Sequence, residues 1–335
     1  MPGAPAHLAP GRDPAGSPAD QHAYENCRIC PRHCGVNRLA GQRGYCGQSA
    51  VCRIGGACVH FGEEPAFSGT RGSGTIFFSG CTSRCFFCQN HQISSQNQGR
   101  DVSGGQLFAI AVDLVEKGVH NLNFVTPDHF LPHVVALCRR LRDTGVRVPF
   151  ICNCSAYLLA PAVNALCEVM DIFLPDFKFA EPVLARDCMR DAAYPEIALD
   201  AVAAMIAAKG FLEPWDETGK KTAEKGVLVR HLLLPDQVGD SIRVLSRLHA
   251  AFGPQLPLSV MSQFRPTDAC RRKNRFTRPP APAAYERLLR RVETMGFSRV
   301  YIQPDYGDSD FLPDFDSDAI FPGNEKKTLL QAHGA

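Results

Sequence analysis

Hydrophobic positions follow two alternating patterns along the central part of the chain. Short apolar runs rich in β-branched and aromatic residues are typical of buried strands. They occupy residues 76–79, 121–125, 148–153, 172–176, 227–233 and 258–262. Longer stretches with apolar residues at helical spacing predict helices between these runs. They occupy about 104–117, 131–145, 156–169, 182–210, 239–252 and 283–296.

This regular alternation predicts an α/β fold. Strands that alternate with helices form parallel βαβ units with right-handed crossovers. Six such units are too few to close a complete barrel, so we expect a partial (β/α)6 TIM-like barrel that is open on one side. Residues 299–303 could add a late strand.

The flanking stretches lack this pattern and suggest four regions. Residues 1–23 are rich in Pro, Gly, Ala and Asp and predict a disordered extension. Residues 24–70 form a Cys-rich N-terminal segment, and residues 71–303 form the partial barrel. Residues 304–335 are a C-terminal extension whose first part interleaves carboxylates with aromatic residues, and we expect it to pack over the barrel.

Composition narrows the function. Lys and Arg number 36 against 34 Asp and Glu, a net charge of +2, which argues against a nucleic-acid or membrane surface. No apolar run approaches the roughly 20 residues of a membrane helix, and no signal pattern begins the chain, so a cytoplasmic location is predicted. Fifteen cysteines, an odd number in CxxC-like spacings, favour metal or redox use in a reducing compartment.

Three of these cysteines follow the first predicted strand of the barrel. Cys81, Cys85 and Cys88 have CxxxCxxC spacing and lie where an α/β barrel keeps its chemistry. Iron–sulfur cubanes are held by cysteine thiolates, and three ligands on one loop leave one iron open to a small molecule. Ordinary thiols or a zinc site are the alternatives, although structural zinc requires four ligands.

A second cysteine set lies in the N-terminal segment. Cys27, Cys30, Cys34 and Cys46 occur within twenty residues that are interrupted by glycine and proline. So small and turn-rich a segment has little core of its own, and a metal would help it fold. Either zinc or an auxiliary iron–sulfur cluster is predicted, and a set of reduced buried thiols is the alternative.

Polar residues gather at the ends of the predicted strands. In a parallel barrel these ends share the catalytic face. They contain Thr126 to His129, Asn153 to Ser155, Asp176 and Lys178, Arg230 and His231, and Met261 to Arg265. Asp176 and Lys178 are two residues apart, so in an extended segment both side chains face the same way and could hold the two ends of an amino-acid-like ligand. The alternative is a mutual ion pair of little consequence.

The loop that carries Cys81, Cys85 and Cys88 resembles the cluster loop of the radical S-adenosylmethionine (SAM) superfamily. The resemblance implies a 4Fe–4S cluster whose open iron chelates the amino and carboxylate groups of SAM. It places Phe87 near the adenine, and it makes Gln89 and Asn90 the polar pair beside the nucleoside.

Further segments resemble the branch of this superfamily that is homologous to pyruvate formate-lyase activating enzyme. They are residues 30–38, 69–80, 174–178 and 229–231. The resemblance implies SAM or cation contacts from Asn153, Asp176, Lys178 and Arg230. Two features differ from the activating enzymes: residues 125–128 replace a Gly-Gly-Glu-Pro motif, and Asn153 replaces a carboxylate, which leaves a glycyl-radical substrate unsupported.

The implied reaction is reductive cleavage of SAM to a 5′-deoxyadenosyl radical that abstracts hydrogen from a substrate. A flavodoxin- or ferredoxin-like protein would supply the electron. The substrate stays open between a protein glycine, as in the activation of a glycyl radical enzyme, a peptide and a small metabolite. The alternatives are an iron–sulfur electron-transfer or carrier protein that does not cleave SAM, and a zinc-stabilised interaction module.

Overall fold

Strands and helices alternate along residues 22–303, 312–317, 319–321 and 331–332, the parts of the chain that the computed structural model describes. The strands are β1 Arg53–His60, β2 Ser73–Phe78, β3 Arg100–Asp101, β4 Leu122–Val125, β5 Phe150–Cys154, β6 Ile172–Pro175, β7 Gly226–Val227, β8 Val229–Leu232, β9 Leu258–Met261, β10 Val300–Ile302 and β11 Gln331–Ala332. The helices are Pro65–Ser68, His91–Ser94, Gly104–Glu116, Leu131–Asp143, Ala160–Cys167, Pro182–Met189, Tyr194–Lys209, Val238–Phe252, Asp268–Arg272 and Pro282–Thr294, with 3-10 turns at His22–Tyr24 and Asp128–Phe130.

Most strands are parallel, as the alternating pattern predicts. The larger sheet has the order β3-β1-β2-β4-β5-β6-β7, and the smaller has the order β11-β10-β9-β8. All pairs from β2 to β7 and from β8 to β10 are parallel. A single residue, Leu228, separates β7 from β8, and the Phe177 N–H donates to the Arg230 carbonyl at 2.8 Å. The second sheet therefore continues directly from the edge of the first.

The two faces of the parallel strands differ in character because successive side chains point to opposite sides. On one face Phe78, Phe124 and Phe150 pack in the large apolar cluster beneath the helices. The opposite face begins with apolar residues such as Ile172 and Leu174. Its polar residues, Asn123, Asn153, Asp176 and Arg230, occupy the same alternating positions toward the strand ends. The second face therefore brings several polar side chains of neighbouring strands together near the strand ends.

The predicted helix over residues 182–210 is wrong, because the chain forms two helices there. The first helix ends at Arg190, which adopts a left-handed conformation with φ 63°. In the turn that follows, the Asp191 carboxylate accepts hydrogen bonds from the Ala193 N–H and the Tyr157 hydroxyl. Pro195 lies in the first turn of the second helix, where its missing N–H costs nothing. Helical apolar spacing continues through this turn, so periodicity alone does not reveal it.

β1 is a strand inside the segment predicted only as Cys-rich. It pairs antiparallel with β2 and has an irregular register between Ile54 and Gly56. A side chain at Gly55 would place its Cβ 2.4 Å from Cγ2 of Ile93, so the close packing of this strand requires glycine there. The two glycines in β1 also interrupt its apolar pattern, which explains why the local pattern does not predict a strand there.

The outer edge of the larger sheet is formed by β3, which is only two residues long. Arg100 and Asp101 are both exposed. Asp101 accepts a 2.6 Å ion-pair hydrogen bond from Arg53 of the neighbouring strand β1. The edge of the sheet is therefore short and charged.

The described part of the C-terminal extension packs against β2 and the helix that follows the cysteine loop. Phe315, Ile320 and Phe321 contact the apolar cluster of Phe77 and Val125. Gln92 donates to Asp314 and Asp316 at 3.0 Å.

The predicted disordered extension falls almost entirely on residues 1–21, which lie outside the described residues, as does most of the C-terminal extension. None of the described helices has the length and apolar character needed to cross a membrane.

Candidate active site

A cavity of about 240 Å3 opens on the polar face of the parallel strands, where their carboxyl ends meet the loop of residues 81–88, here called the cysteine loop. The structure brings ten predicted site residues together in its lining. They are Cys81, Cys85, Phe87, Cys88, Gln89, Asn90, Asn153, Asp176, Lys178 and Arg230. Thr126, Ser155 and Gln263 from other strand ends join them. Each of the five predicted polar strand ends therefore contributes at least one residue to this cavity, although not all of their polar residues line it.

The cysteine loop begins at a glycine that no other residue could replace without displacing its neighbours. Gly80 has φ 84°, and a Cβ there would lie 2.6 Å from the Cys46 carbonyl oxygen. Beyond it, the Ser83 N–H donates to the Cys81 sulfur at 3.4 Å. Burial raises the pKa of the Cys81 thiol to about 12 and raises that of Cys85 as well. These sulfurs therefore become thiolates only with a compensating positive charge beside them.

Asp176 and Lys178 form an ion pair at the end of β6. The two charged groups are 2.6 Å apart and largely buried. Burial alone would lower the pKa of Lys178, but the adjacent Asp176 carboxylate outweighs it and raises that pKa. The Lys178 N–H donates to the Tyr194 hydroxyl at 2.8 Å, and that hydroxyl lies 2.7 Å from the Asp176 carbonyl oxygen. Tyr194 thus fixes the strand end that presents both charges to the cavity.

Arg230 is held by two carboxylates that the sequence analysis missed. Its Nε donates to Glu64 at 2.9 Å, and its terminal nitrogen NH2 contacts both Glu63 and Glu64. Asn123 donates to the other Glu63 oxygen at 2.8 Å. Burial would raise the pKa of Glu63, yet the charge of Arg230 overrides it and the pKa is lowered. Glu63, Glu64 and Arg230, here called the floor cluster, line the same cavity.

A local signal could have revealed the floor cluster. Two adjacent carboxylates precede Pro65 in a stretch that is otherwise rich in glycine and aromatic residues. Glu64 is fully buried and Glu63 nearly so. Buried carboxylates require a partner, so a pair of this kind predicts a distant cation.

Comparisons with known proteins agree with this site. Residues 75–212 match the Radical SAM superfamily. The matching segment starts in β2, contains the whole cysteine loop and extends past the ion pair at the end of β6. The matched segment therefore contains all three cysteines of the loop and the strand ends that carry Asn153, Asp176 and Lys178.

A relative extends the similarity beyond that segment. The uncharacterized protein MJ0674 of Methanocaldococcus jannaschii is 23% identical over 287 residues, which cover 84% of this chain and 78% of that protein. Its name gives no activity. Neither comparison distinguishes the branch of the pyruvate formate-lyase activating enzymes, which stays a prediction.

The N-terminal cysteines precede the matched segment in the chain. A Cβ on Gly44 would lie 3.4 Å from the Cys34 sulfur and 3.7 Å from the Cys46 sulfur, and the Tyr45 N–H donates to the Cys34 sulfur at 3.1 Å. Burial raises the pKa of the Cys30 thiol to about 12. Among the residues that the structure describes, no three His, Cys, Asp or Glu side chains are arranged to hold a single metal ion. A metal on these cysteines therefore stays a prediction.

Arg32 joins the two cysteine-bearing segments. Its guanidinium donates to the Thr82 carbonyl at 2.9 Å and to the carbonyls of Ser83 and Met189. The same group stacks on the Tyr45 ring, 4.0 Å from its centroid. Through Arg32, the N-terminal segment therefore holds the backbone of the cysteine loop in place.

Three polar residues at the strand ends have partners that give them structural roles. Asp128 accepts from the Thr82 hydroxyl at 2.8 Å, and the His129 ring lies 2.7 Å from the Ser79 carbonyl oxygen. His231 Nδ1 donates to the Phe177 carbonyl at 2.8 Å. All three are nearly or fully buried, and none lines the cavity. They position the loop and the strand ends.

Buried His231 gives a pH-dependent stability. Burial lowers its pKa to about 4, so the folded chain keeps it neutral where the unfolded chain already binds a proton. Its contribution is complete above pH ~6.5 and is lost as the pH falls toward ~4, a cost of roughly 3 kcal/mol. We expect a His231→Asn variant to show a shallower decline in the free energy of unfolding over this range, measured by urea titration at each pH. The exposed His22→Asn control should keep the wild-type slope, and equal slopes in all three proteins would contradict the assignment.

Proposed function

We propose that the chain is a radical SAM enzyme, of the branch homologous to pyruvate formate-lyase activating enzyme, built on a partial (β/α)6 barrel. One observation carries this proposal. Three thiols of one loop, at the spacing of the superfamily, open into the same cavity as the polar ends of the parallel strands. The match of residues 75–212 to the superfamily supports it.

The residues present fit an iron–sulfur cluster on Cys81, Cys85 and Cys88. The donor set is three sulfurs lining one cavity, and one of them already accepts a backbone N–H, as cluster sulfurs commonly do. The raised thiol pKa values of Cys81 and Cys85 call for nearby positive charge, which iron provides. When bound, the cluster and SAM supply one-electron cleavage of the sulfonium to methionine and a hydrogen-abstracting 5′-deoxyadenosyl radical.

The protein contributes binding, orientation and exclusion of water. Asp176 and Lys178 present a carboxylate and an ammonium to the polar ends of SAM, and Asn153 on the adjacent strand adds an amide. Phe87 lies within a group of aromatic rings that includes Phe276, 5.8 Å away between centroids, and offers an apolar face for the adenine. These contacts also exclude stray hydrogen donors from the reacting bond.

The polar residues that follow the cysteine loop, Gln89 and Asn90, are positioned by a contact with a loop across the cavity. Gln89 donates to the Gln263 carbonyl at 2.6 Å, which orients the loop that carries Asn90 toward the nucleoside. Arg230 is engaged by Glu63 and Glu64, so we assign it first to the floor of the cavity rather than to SAM.

The electron would come from a flavodoxin- or ferredoxin-like donor. The N-terminal cysteines Cys27, Cys30, Cys34 and Cys46 are proposed to hold zinc or an auxiliary cluster, packed against the cysteine loop through Arg32. The hydrogen donor is a protein, a peptide or a small metabolite. Activation of a glycyl radical enzyme is one form of this chemistry.

The test is a turnover assay on the full chain. After anaerobic reconstitution, iron and sulfide are quantified, and the reduced protein is incubated with SAM. We expect 5′-deoxyadenosine to accumulate, detected by liquid chromatography and mass spectrometry, and to be absent when dithionite is omitted. A reducible cluster that binds no SAM and forms no product would instead identify an iron–sulfur carrier.

A further inference from the structure

The floor cluster leaves the cavity with an unbalanced charge. Among the described residues that line it, three carboxylates, Glu63, Glu64 and Asp176, face two cations, Lys178 and Arg230. Burial lowers the pKa of His60, so the imidazole adds no positive charge. One negative charge therefore remains in a largely buried site, where it is costly unless a cation compensates it.

Bound cofactors would leave this charge in place. Under the proposed function, three thiolates outweigh an oxidised 4Fe–4S core by one negative charge. SAM whose amino nitrogen binds the open iron carries a neutral amine, a carboxylate and a sulfonium, so it adds no net charge. Cluster and SAM together therefore do not neutralise the negative charge of the floor cluster.

An unpartnered side chain marks the place where a ligand would bind. Nδ1 of His60 is buried and has no hydrogen-bond partner among the described residues, and His60 lines the cavity. Glu63 lines the same cavity as His60. Two more buried atoms of the described chain lack partners beside the floor cluster. One is Oδ1 of Asn123, whose amide nitrogen donates to Glu63. The other is Oγ of Ser259, a residue that lies opposite Arg230 on the neighbouring strand β9.

The walls above the floor are apolar. Phe77, Ile93, Val125 and Leu232 line the cavity, and Phe321 stacks on the His60 ring with centroids 4.1 Å apart. A ligand that fits this end carries a positive charge on an otherwise apolar chain.

We propose that this end of the cavity anchors the substrate through a primary ammonium group on an aliphatic chain. This inference rests on the proposed function, because only that function makes the bound molecule a substrate. An ammonium has three N–H donors. Glu63 offers oxygen lone pairs beyond those used by Arg230 and Asn123, and neutral His60 offers Nδ1 as an acceptor. The aliphatic chain then lies against the apolar walls. A lysine side chain and a free alkyl amine share this chemistry.

SAM itself matches this end poorly. Its sulfonium has no N–H and cannot satisfy the acceptors at His60 and Glu63. Its amino group is the one that the resemblance to the radical SAM superfamily places on the open iron. The anchoring ammonium therefore belongs to a second molecule.

The test measures binding without turnover. The full chain, reconstituted with its cluster and saturated with SAM but not reduced, is titrated calorimetrically with n-butylammonium, 1-butanol and butyrate. We expect n-butylammonium to bind at least about tenfold more tightly than 1-butanol, and butyrate not to bind. Nα-acetyl-lysine amide is titrated as a second amine. Tighter binding than that of n-butylammonium would indicate a lysine of a peptide or protein as the source of the ammonium, and weaker binding would indicate a small metabolite.

Variants locate the site. Glu63→Gln should weaken n-butylammonium binding about tenfold, whereas the exposed Glu168→Gln control should leave it unchanged. His60→Phe keeps the ring stack on Phe321 but removes the acceptor, so it should weaken binding without changing any charge, even if the Glu63 variant folds poorly.

Several results would overturn the inference. They are equal affinity for n-butylammonium and 1-butanol, binding unaffected by both variants, and competition between n-butylammonium and SAM. Because the titration needs no reductant, amine binding without any 5′-deoxyadenosine formation would contradict the proposed function alone. Product formation without amine binding would contradict only this inference.

Discussion

Replacing Cys85 by alanine is expected to abolish 5′-deoxyadenosine formation. Its thiol is buried at the cavity between Cys81 and Cys88, and three thiolates are the fewest that leave one open iron on a cubane. With two thiolates the cluster loses either its attachment or its defined open position. The measurement is the anaerobic product assay, paired with iron and sulfide analysis of the same sample.

The matched control is Cys167→Ala. Cys167 is a half-buried thiol at the end of the helix Ala160–Cys167 and does not line the cavity. It should retain the iron content and the product yield of the wild type. Product formation by the Cys85 variant above the no-enzyme background would remove the cysteine loop from the proposed chemistry.

Replacing Arg230 by methionine is expected to destabilise the fold by about 3–5 kcal/mol, because removing one partner of a buried ion pair leaves uncompensated charge. Here two carboxylates, Glu63 and Glu64, lose their shared cation. The free energy of unfolding is measured by urea titration at neutral pH. The exposed pair of Arg139 and Glu168 provides the control, since Arg139→Met should cost less than about 1 kcal/mol.

A compensating variant tests the cause of this loss. If the unpaired charges are responsible, Glu63→Gln and Glu64→Gln added to Arg230→Met should recover a substantial part of the stability. An equal loss in the triple variant would assign the effect to packing instead.

Sequence alone predicts the parts of this molecule whose signals are local. The strand–helix alternation identifies β2, β4, β5, β6 and β9 to within a few residues, since each run carries its own periodicity. The single strand predicted over residues 227–233 is wrong, because the chain divides it into β7 and β8 of two different sheets. The cysteine loop and the polar strand ends were expected to meet because parallel strands end on one side, and ten of the predicted residues line one cavity.

Other parts depend on contacts between distant positions. Glu63 and Arg230 are separated by 167 residues, and no neighbouring residue in the sequence indicates that the two form an ion pair. Likewise, β1 is a strand because β2 offers it an edge, while its glycines weaken its own propensity. Arg32 looks like an ordinary surface residue in the sequence, yet it supports the cysteine loop through carbonyls that the fold brings to it. Local patterns carry no information about such partners.

The short charged strand β3 affects whether copies of this chain associate through their sheet edges. An open sheet edge is a template on which another chain can add a strand, and long apolar edges lead to aggregation. β3 exposes only two residues of backbone on which another strand could pair. The Arg53–Asp101 ion pair beside them would have to lose its hydration if another chain packed there. On that side, the protein is therefore protected against edge-to-edge polymerisation at high concentration.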